Sequence, residues 1–308
     1  MKRYAIAVTG GSGLLGKFVV AELTNHGHDV TVLDLQPPAH GIAYSECNIL
    51  DLTALRSALR GKQCVIHLAG IDDGNDFPSK DYFETNVQGA WNVLHAAESV
   101  GVEKVVVASS TATLGLGFDR PPDYLPVDEA HPLRPSETYS LTKQVIESVC
   151  ASYVRRGDLR VICLRPTLVV RPEREHAILS QLALPEPDKD TPADIVSGEE
   201  EGPYGGLSAT RTYVRSADCA RCFRLALDYH AEPFDVFNVA ACDTIGRVQT
   251  LARYQQIFGQ VPQVRRQFVY DNDAYASTLD TSRARAALGW QAKGDWRDVV
   301  KAHQTTSK

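Results

Sequence analysis

The sequence predicts an α/β protein built on a doubly wound parallel sheet, with a smaller C-terminal lobe. Two observations indicate this class. Apolar runs of strand length, such as residues 4–10, 29–35 and 64–70, alternate with longer segments of helical apolar spacing. Runs that are apolar throughout are typical of strands buried on both faces of a parallel sheet. The alternation itself is typical of βαβ units, whose crossover helices cover both faces of that sheet.

The first half of the chain keeps this alternation throughout. It opens with strand 4–10, a glycine turn, helix 14–27 and strand 29–35, which is the order of a βαβ unit. The elements predicted next are helix 51–61, strand 64–70, helix 81–101, strand 103–110, helix 138–157 and strand 160–167. This order predicts a sheet of parallel strands joined by helical crossovers.

The regular pattern degrades after Pro166. Residues 171–210 are rich in Pro, Glu, Asp and Gly, which predicts irregular loop with one short helix near 174–183. Regular elements return as helix 216–229, strand 235–241 and helix 247–259. We therefore expect a Rossmann-type dinucleotide-binding domain at 1–170 and 212–241, and a substrate-binding lobe at 171–211 and 242–308. A cleft between them would lie over the carboxyl ends of the strands, where such folds bind ligands.

Composition narrows the class of protein. With 44% hydrophobic and 23% charged residues among 308, the chain suits a globular protein, and a formal net charge of −6 speaks against a nucleic-acid partner. Apolar runs fall short of the roughly 18 residues of a membrane span, and the basic N-terminus is followed by too short an apolar run for a signal peptide. Cys219 and Cys222 form a lone C-x-x-C. We therefore predict free thiols, no metal site and a cytoplasmic location.

Three glycines stand between the first strand and the first helix. Gly10, Gly13 and Gly16 have G-x-x-G-x-x-G spacing. Glycine allows a tight turn and lets backbone amides approach a pyrophosphate, while the helix N-terminus adds a partial positive charge. A plain glycine turn could have the same residues, but a preceding strand and a following helix are the context that dinucleotide binding requires. We predict that these glycines, with Leu14 and Leu15 between them, bind a dinucleotide.

Asp34 ends the second predicted strand, about 20 residues beyond the glycine motif, as in dinucleotide-binding domains. A carboxylate at this place accepts hydrogen bonds from a ribose hydroxyl and repels a 2′-phosphate. The predicted cofactor is therefore NAD rather than NADP. The alternative interpretation is a solvated aspartate at a strand end.

Tyr139 and Lys143 are four residues apart in a predicted helix and therefore share one face. A lysine ammonium near a phenol favours the phenolate and lowers the tyrosine pKa from its reference of about 10. A tyrosine tuned in this way can act as a general acid or base. An exposed helix pair is the alternative when the two residues are considered alone.

Several segments along the chain together resemble the extended short-chain dehydrogenase/reductases, the NAD-dependent epimerase/dehydratase family. They are TGGSGLLG (9–16), Asp34, CNILD (47–51), HLAG (67–70), NVQGAWNVL (86–94), SSTAT (109–113), YSLTK (139–143), RPT (165–167), TRTYV (210–214) and LDTSRARAALGW (279–290). The matches run nearly from end to end. They are specific for the family and much less specific for the substrate.

The resemblance implies an NAD-dependent enzyme with Tyr139, Lys143 and Thr111 as catalytic residues. Tyr139 would exchange a proton with a substrate hydroxyl or carbonyl oxygen, Thr111 would hydrogen-bond the same oxygen, and Lys143 would hold the nicotinamide ribose. Hydride transfer itself belongs to the cofactor. The other positions implied to contact NAD are Asn48, Ile49, Leu68, Ala69, Gly70, Asn86, Ser109, Pro166 and Thr167. Arg211 matches an arginine that binds substrate phosphate in nucleotide-sugar members, with a salt-bridged strand arginine as the alternative.

Two departures from the family pattern bear on the substrate. Residues 169–172 read VVRP where many nucleotide-sugar members have V-Y-G-P, and no carboxylate follows Thr111 where dehydratases use one. We therefore predict an NAD-dependent oxidoreductase or epimerase of a sugar-like compound, with net dehydrogenation of a free sugar acid or aldose preferred. A nucleotide-sugar epimerase with tightly bound NAD and a non-catalytic NAD-binding regulatory protein remain as alternatives.

Helices 81–101 and 138–156 carry apolar residues on more than one face. In the resembled family these two helices pair with their symmetry mates. We therefore expect a homodimer with two-fold symmetry.

Overall fold

The computed structural model describes residues 2–38, 41–72, 77–117, 119–181 and 210–300. The strands are β1 (Ala5–Thr9), β2 (Asp29–Asp34), β3 (Ala43–Glu46), β4 (Cys64–His67), β5 (Lys104–Ala108), β6 (Tyr124–Leu125), β7 (Arg160–Pro166), β8 (Leu168–Val170), β9 (Tyr213–Arg215), β10 (Phe234–Val239) and β11 (Gln263–Val264). The helices are α1 (Gly16–Asn25), α2 (Leu52–Leu59), α3 (Ser79–Tyr82), α4 (Gly89–Ser99), α5 (Thr138–Arg156), α6 (Pro172–Gln181), α7 (Ser216–Leu227), α8 (Thr250–Phe258), α9 (Gln267–Asn272) and α10 (Ser282–Leu288). A π-helix (Phe83–Gln88) joins α3 to α4, and a 3₁₀-helix (Thr111–Leu114) follows β5.

The main sheet has seven strands in the order β10-β7-β5-β4-β1-β2-β3, and all neighbouring strands are parallel. The predicted α/β class with a doubly wound parallel sheet is confirmed. From β1 the chain builds toward β3 on one side and from β4 toward β10 on the other. The carboxyl ends of β1 and β4 therefore form the topological switch point, with Thr9 paired to His67.

Helices cover both faces of the sheet, because its strands are apolar on both sides. One core includes Val8, Val20 and Leu23 with Phe223 of α7, and the other includes Leu55, Val93 and Leu94 with Ile146 of α5. Burial of these side chains is the main favourable term that fixes the helices on the sheet. Loops and helix N-termini lie at the edge of the sheet where the carboxyl ends of the strands meet.

Two smaller clusters lie beyond the sheet. One contains Tyr213, Ile245 and Trp296, and the other contains Leu125, Tyr254 and Leu279. The helix expected near 174–183 is α6, two residues earlier than predicted, and the loop predicted beyond it lies outside the described residues between 181 and 210. Within the described ranges, no helix combines the length and apolar character needed to cross a membrane.

Candidate active site

A cleft of about 1070 Å³ runs along the carboxyl ends of the strands, from the loop after β1 to the segment around β8 and β9. Of the positions predicted to bind cofactor or substrate, its wall includes Gly10, Gly13, Leu14, Leu15, Gly16, Asp34, Asn48, Ile49, Leu68, Ala69, Gly70, Ser109, Thr111, Tyr139, Lys143, Pro166 and Thr167. Asn86 and Arg211 do not line it. The volume of the cleft lies at the upper end of the roughly 300–1,000 Å³ range of small-molecule pockets.

The glycine loop is shaped by a close approach of two backbone segments. Gly10 has a φ of +71°, and a Cβ added there would lie 2.5 Å from the amide nitrogen of Ala69. Glycine is therefore required for the turn between β1 and α1 to lie against the segment after β4. Helix α1 begins at Gly16 without a side-chain cap. The amides of Lys17, Phe18 and Val19 already donate to the carbonyls of Gly13 and Leu15. A pyrophosphate would therefore be held by amides of the glycine loop itself, with the partial positive charge of the helix N-terminus behind them.

Asp34 at the end of β2 anchors the same loop. Its Oδ2 accepts the amide of Ser12 at 3.0 Å, and its Oδ1 accepts the amide of Leu35 at 2.7 Å. Leu14 and Leu35 line the cleft beside this carboxylate, and both side chains are more than half exposed. The combination of one carboxylate with apolar surface suits a ribose hydroxyl and an adenine ring.

Tyr139 and Lys143 lie one turn apart at the start of α5. A capping box in which the Glu137 amide donates to Ser140 Oγ at 3.1 Å begins this helix. The Lys143 ammonium donates to the carbonyl oxygen of Ala108 at 3.0 Å and lies 5.5 Å from the centroid of the Tyr139 ring. Burial lowers the pKa of Lys143, and the carboxylate of Asp72 opposes this shift. The expected i, i+4 pair is therefore formed in the cleft wall.

Thr111 begins the 3₁₀-helix that follows β5. Ser110 caps this helix, since its Oγ accepts the amide of Ala112 at 3.1 Å. The Thr111 hydroxyl donates to the carbonyl oxygen of Pro166 at 3.4 Å. The ends of β5 and β7 thus bring Thr111 to the cleft that Tyr139 also lines.

Asn86 is buried in the π-helix behind this wall. Its Oδ1 accepts the amide of Ile71 at 2.7 Å, and its Nδ2 donates to the Ile71 carbonyl at 3.0 Å and to Thr142 Oγ1 at 3.3 Å. A Cβ on Gly70 would lie 2.8 Å from Asn86 Oδ1. Asn86 therefore holds the segment after β4 that lines the cleft.

Arg211 has a positive φ of 52° and is 3% exposed. Its carbonyl oxygen accepts the amide of Ile245 at 2.9 Å. Its neighbours Thr210 and Thr212 line the cleft instead. The predicted segment therefore reaches the site through its threonines.

A chain of hydroxyl groups forms this end of the cleft. Thr167 Oγ1 lies 2.9 Å from Thr212 Oγ1, which lies 2.9 Å from Thr210 Oγ1. Thr210, Thr212 and Arg174 were not identified from the sequence as site residues. No local pattern indicated these threonines, because Arg211 between them has a positive φ and the face-sharing rule of an extended strand does not apply to this segment.

The fold and site define a short-chain dehydrogenase/reductase of the extended type: a parallel sheet with a glycine loop at its switch point, an acidic residue at the end of β2 and a Tyr-x-x-x-Lys helix beside the cleft. A model of the NAD dependent epimerase/dehydratase family matches residues 6–240. The chain belongs to this family. The predicted family, enzyme class and NAD cofactor are thereby confirmed, and a non-catalytic regulatory protein is disfavoured.

Known proteins similar to this chain include several sugar-converting enzymes. A UDP-glucose 4-epimerase of Lactobacillus helveticus is 27% identical to this chain, and the match covers 96% of this chain and 94% of the epimerase. A uronate dehydrogenase of Pseudomonas putida is 27% identical over 52% of this chain and 59% of its own. A short-chain dehydrogenase/reductase superfamily protein of Agrobacterium tumefaciens, solved with bound NAD, has a TM-score of 0.70 at 24% identity and covers 97% of this chain and 96% of its own.

Proposed function

We propose that this protein is an NAD-dependent dehydrogenase that oxidises a hydroxyl-bearing carbon of a small sugar acid or aldose, with Tyr139 as the general base. One observation carries the proposal: Tyr139, Lys143 and Thr111 line the same cleft. A binding module would not need this proton-transfer set. When bound, NAD supplies the hydride acceptor.

The cofactor half of the cleft fits NAD. The glycine loop and the N-terminus of α1, which has no side-chain cap, would hold the pyrophosphate. Asp34 would accept a hydrogen bond from a ribose hydroxyl. Asn48, Ile49 and Leu68 to Gly70 would line the adenine side, while Lys143, Ser109, Pro166 and Thr167 would line the nicotinamide side. Asn86 would act from behind, through the backbone of Ile71.

Proton transfer would be the task of Tyr139. Its phenolate, favoured by the nearby Lys143 ammonium, would take the proton from the substrate hydroxyl. The Thr111 hydroxyl would hydrogen-bond the same substrate oxygen and fix its position. Lys143 keeps its own place through the carbonyl of Ala108.

The substrate half of the cleft favours a free, polyhydroxylated acid over a nucleotide sugar. The hydroxyls of Thr210 and Thr212 can each donate and accept, which matches a polyol. Arg171 lies at the same end of the cleft and offers a cation for a carboxylate. Arg211, the residue expected to bind a nucleotide phosphate, is buried away from the described wall.

We propose residues 171–211 and 242–308 as the substrate-binding lobe. Arg171, Thr210 and Leu279 belong to these segments and line the cleft. The clusters around Trp296 and Tyr254 would support them.

A nucleotide-sugar 4-epimerase is the second candidate. The observation that favours it is the similarity to the Lactobacillus helveticus epimerase over 96% of this chain. An epimerase returns the hydride and keeps its cofactor, whereas a dehydrogenase releases NADH.

The test is a panel of aldoses, uronic acids and UDP-sugars incubated with NAD and followed at the NADH absorbance band. We expect NADH to accumulate with a free sugar or sugar acid. Conversion of a UDP-sugar to its epimer without free NADH would replace the dehydrogenase by the epimerase.

A further inference from the structure

Helix α5 carries a third charged residue on the face of Tyr139 and Lys143. Glu147 follows Lys143 by four residues, so the three side chains lie on one helix face at successive turns. Their exposed fractions are 9%, 7% and 6%. Glu147 does not line the cleft, and its function therefore has to pass through its contacts.

Those contacts reach the catalytic segment directly. Ser109 Oγ donates to Glu147 Oε1 at 2.5 Å, while the Lys143 ammonium donates to the carbonyl of Ala108 at 3.0 Å. Two successive turns of α5 thus hold Ala108 at the end of β5 and Ser109 directly after it. Thr111 lies only two residues further along the chain.

A buried arginine fixes the carboxylate in turn. Arg165 of β7 donates to Glu147 Oε1 from Nε at 2.8 Å and to Oε2 from Nη2 at 2.7 Å. A paired, charge-assisted geometry of this kind fixes both position and direction. The amide of Ser109 also donates to the carbonyl of Leu164, next to Arg165, at 2.8 Å.

We propose that Glu147 is a positioning residue of the active site: held by Arg165, it sets through Ser109 where residues 108–111 lie relative to Tyr139 and Lys143. Because the Ser109 proton is donated to Glu147, the Ser109 oxygen presents only lone pairs to the cleft. The contacts of Glu147 with Ser109 and Arg165 would act at the nicotinamide end of the cleft. Asp34, on the other side of the switch point, would bind the adenosine ribose.

This inference rests on the proposed cofactor site, and its test uses cofactor binding rather than turnover. NADH contains the nicotinamide half and ADP-ribose lacks it. We expect Glu147→Gln and Ser109→Ala each to weaken NADH binding about tenfold, the scale of one hydrogen bond to a charged group. ADP-ribose affinity should stay within about twofold, because the glycine loop and Asp34 are unchanged.

The matched control is Glu22→Gln. Glu22 pairs with Arg224 at 2.7 Å between α1 and α7, and neither residue lines the cleft. The Glu22→Gln substitution should lower the unfolding temperature without changing the ratio of the NADH and ADP-ribose affinities. A fold-only role for Glu147 predicts the same behaviour for Glu147→Gln, and that result would overturn the proposal.

A double variant tests whether the two residues act through one link. The double variant Ser109→Ala, Glu147→Gln should weaken NADH binding no more than either single substitution does. Multiplication of the two effects would contradict the proposal. If Glu147→Gln does not fold, Glu147→Asp replaces it with the same outcomes, since its shorter side chain keeps the charge but retracts from Ser109. Failure of the wild-type protein to bind NADH would refute the proposed cofactor site itself.

Discussion

The Lys143 ammonium lies 5.5 Å from the centroid of the Tyr139 ring, one helical turn away, and hydrogen-bonds the backbone just before Ser109. The carbonyl of Ala108 thus holds the ammonium beside the ring. The proposed role of Tyr139 as a general base would depend on this neighbouring charge.

Tyr139→Phe should lower turnover by roughly 10²- to 10⁴-fold, the usual range for loss of a general acid or base. NAD affinity should change little, because the ring and the neighbouring lysine remain. Lys143→Ala should damage both turnover and NAD binding. The measurement is steady-state kinetics on the substrate identified in the panel, with cofactor affinity by calorimetry.

The matched control is Tyr153→Phe on the same helix. The Tyr153 hydroxyl donates to the carbonyl of Trp91 at 3.4 Å, away from the cleft. Turnover should be retained in this variant. Full activity of Tyr139→Phe would refute the assigned proton transfer.

Cofactor choice should depend on the charge of Asp34. We expect NAD to bind at least roughly tenfold more tightly than NADP, because the carboxylate repels a 2′-phosphate and Leu35 and Gln36 provide no cation. Asp34→Asn should reduce the difference between the NAD and NADP affinities. Asp29→Asn, at the opposite end of β2, should leave that difference unchanged. Calorimetric titration of both cofactors checks this, and equal affinities in the wild type would contradict it.

Assembly should depend on the exposed apolar residues of the π-helix, α4 and α5. Phe83, Trp91 and Leu141 are each at least 36% exposed on these elements. We predict a homodimer that buries them, with a total interface of about 1,200–2,000 Å² or more. Light scattering at micromolar concentration should give twice the chain mass.

Leu141→Glu should shift that dimer toward monomer without unfolding the chain. Phe268→Glu on α9 introduces the same charge at another exposed apolar residue and should leave the mass unchanged. A monomeric wild-type protein would exclude the interface.

The free energy of unfolding should decrease as the pH rises from about 4 to about 6, because of Asp243. Burial raises the pKa of Asp243 from 3.8 to about 6 in the folded state. The folded protein therefore holds a proton that the unfolded chain releases near pH 4. The stabilisation is complete below the unfolded pKa and is lost as pH rises through the folded one, a change on the order of 3 kcal/mol.

Asp243→Asn should remove this component of the pH dependence. The asparagine can still accept from the amide of Trp296 and donate to the hydroxyl of Tyr213, which reverses the present bond from Tyr213 at 2.8 Å. Denaturant unfolding from pH 4 to 7, followed by tryptophan fluorescence, gives the comparison, with the exposed Asp271→Asn as control. Parallel pH profiles for wild type and Asp243→Asn would refute the assignment.

The sequence predicted the apolar strands of the sheet well and missed β3. Ala43–Glu46 is short, polar and half-exposed at the sheet edge, so it carries no continuous apolar run. The long helix predicted at 81–101 is divided, because residues 83–88 form a π-helix that brings Asn86 to the backbone of Ile71. Periodicity does not distinguish a π-turn from an α-turn over one such segment.

Within the site, local spacing predicted Tyr139, Lys143 and the glycine loop, because each depends on one strand–turn–helix unit. Glu147 and Thr212 were beyond reach, since their importance comes from partners on other elements. Glu147 meets Ser109 and Arg165 across 38 and 18 residues of chain. Thr212 meets Thr167 across 45 residues. Such contacts follow from the sheet order, which no short pattern contains.

Helix α5 has different demands on its two sides. Tyr139 and Lys143 face the cleft, and Leu141 between them faces outward with 40% of its surface exposed. A substitution on one side is constrained by chemistry, and on the other by whatever contacts that surface. Ser148 and Ser152 are also exposed on this helix, and neither lines the cleft. A changed substrate preference is therefore expected from substitutions around β8 and β9 rather than from substitutions on α5.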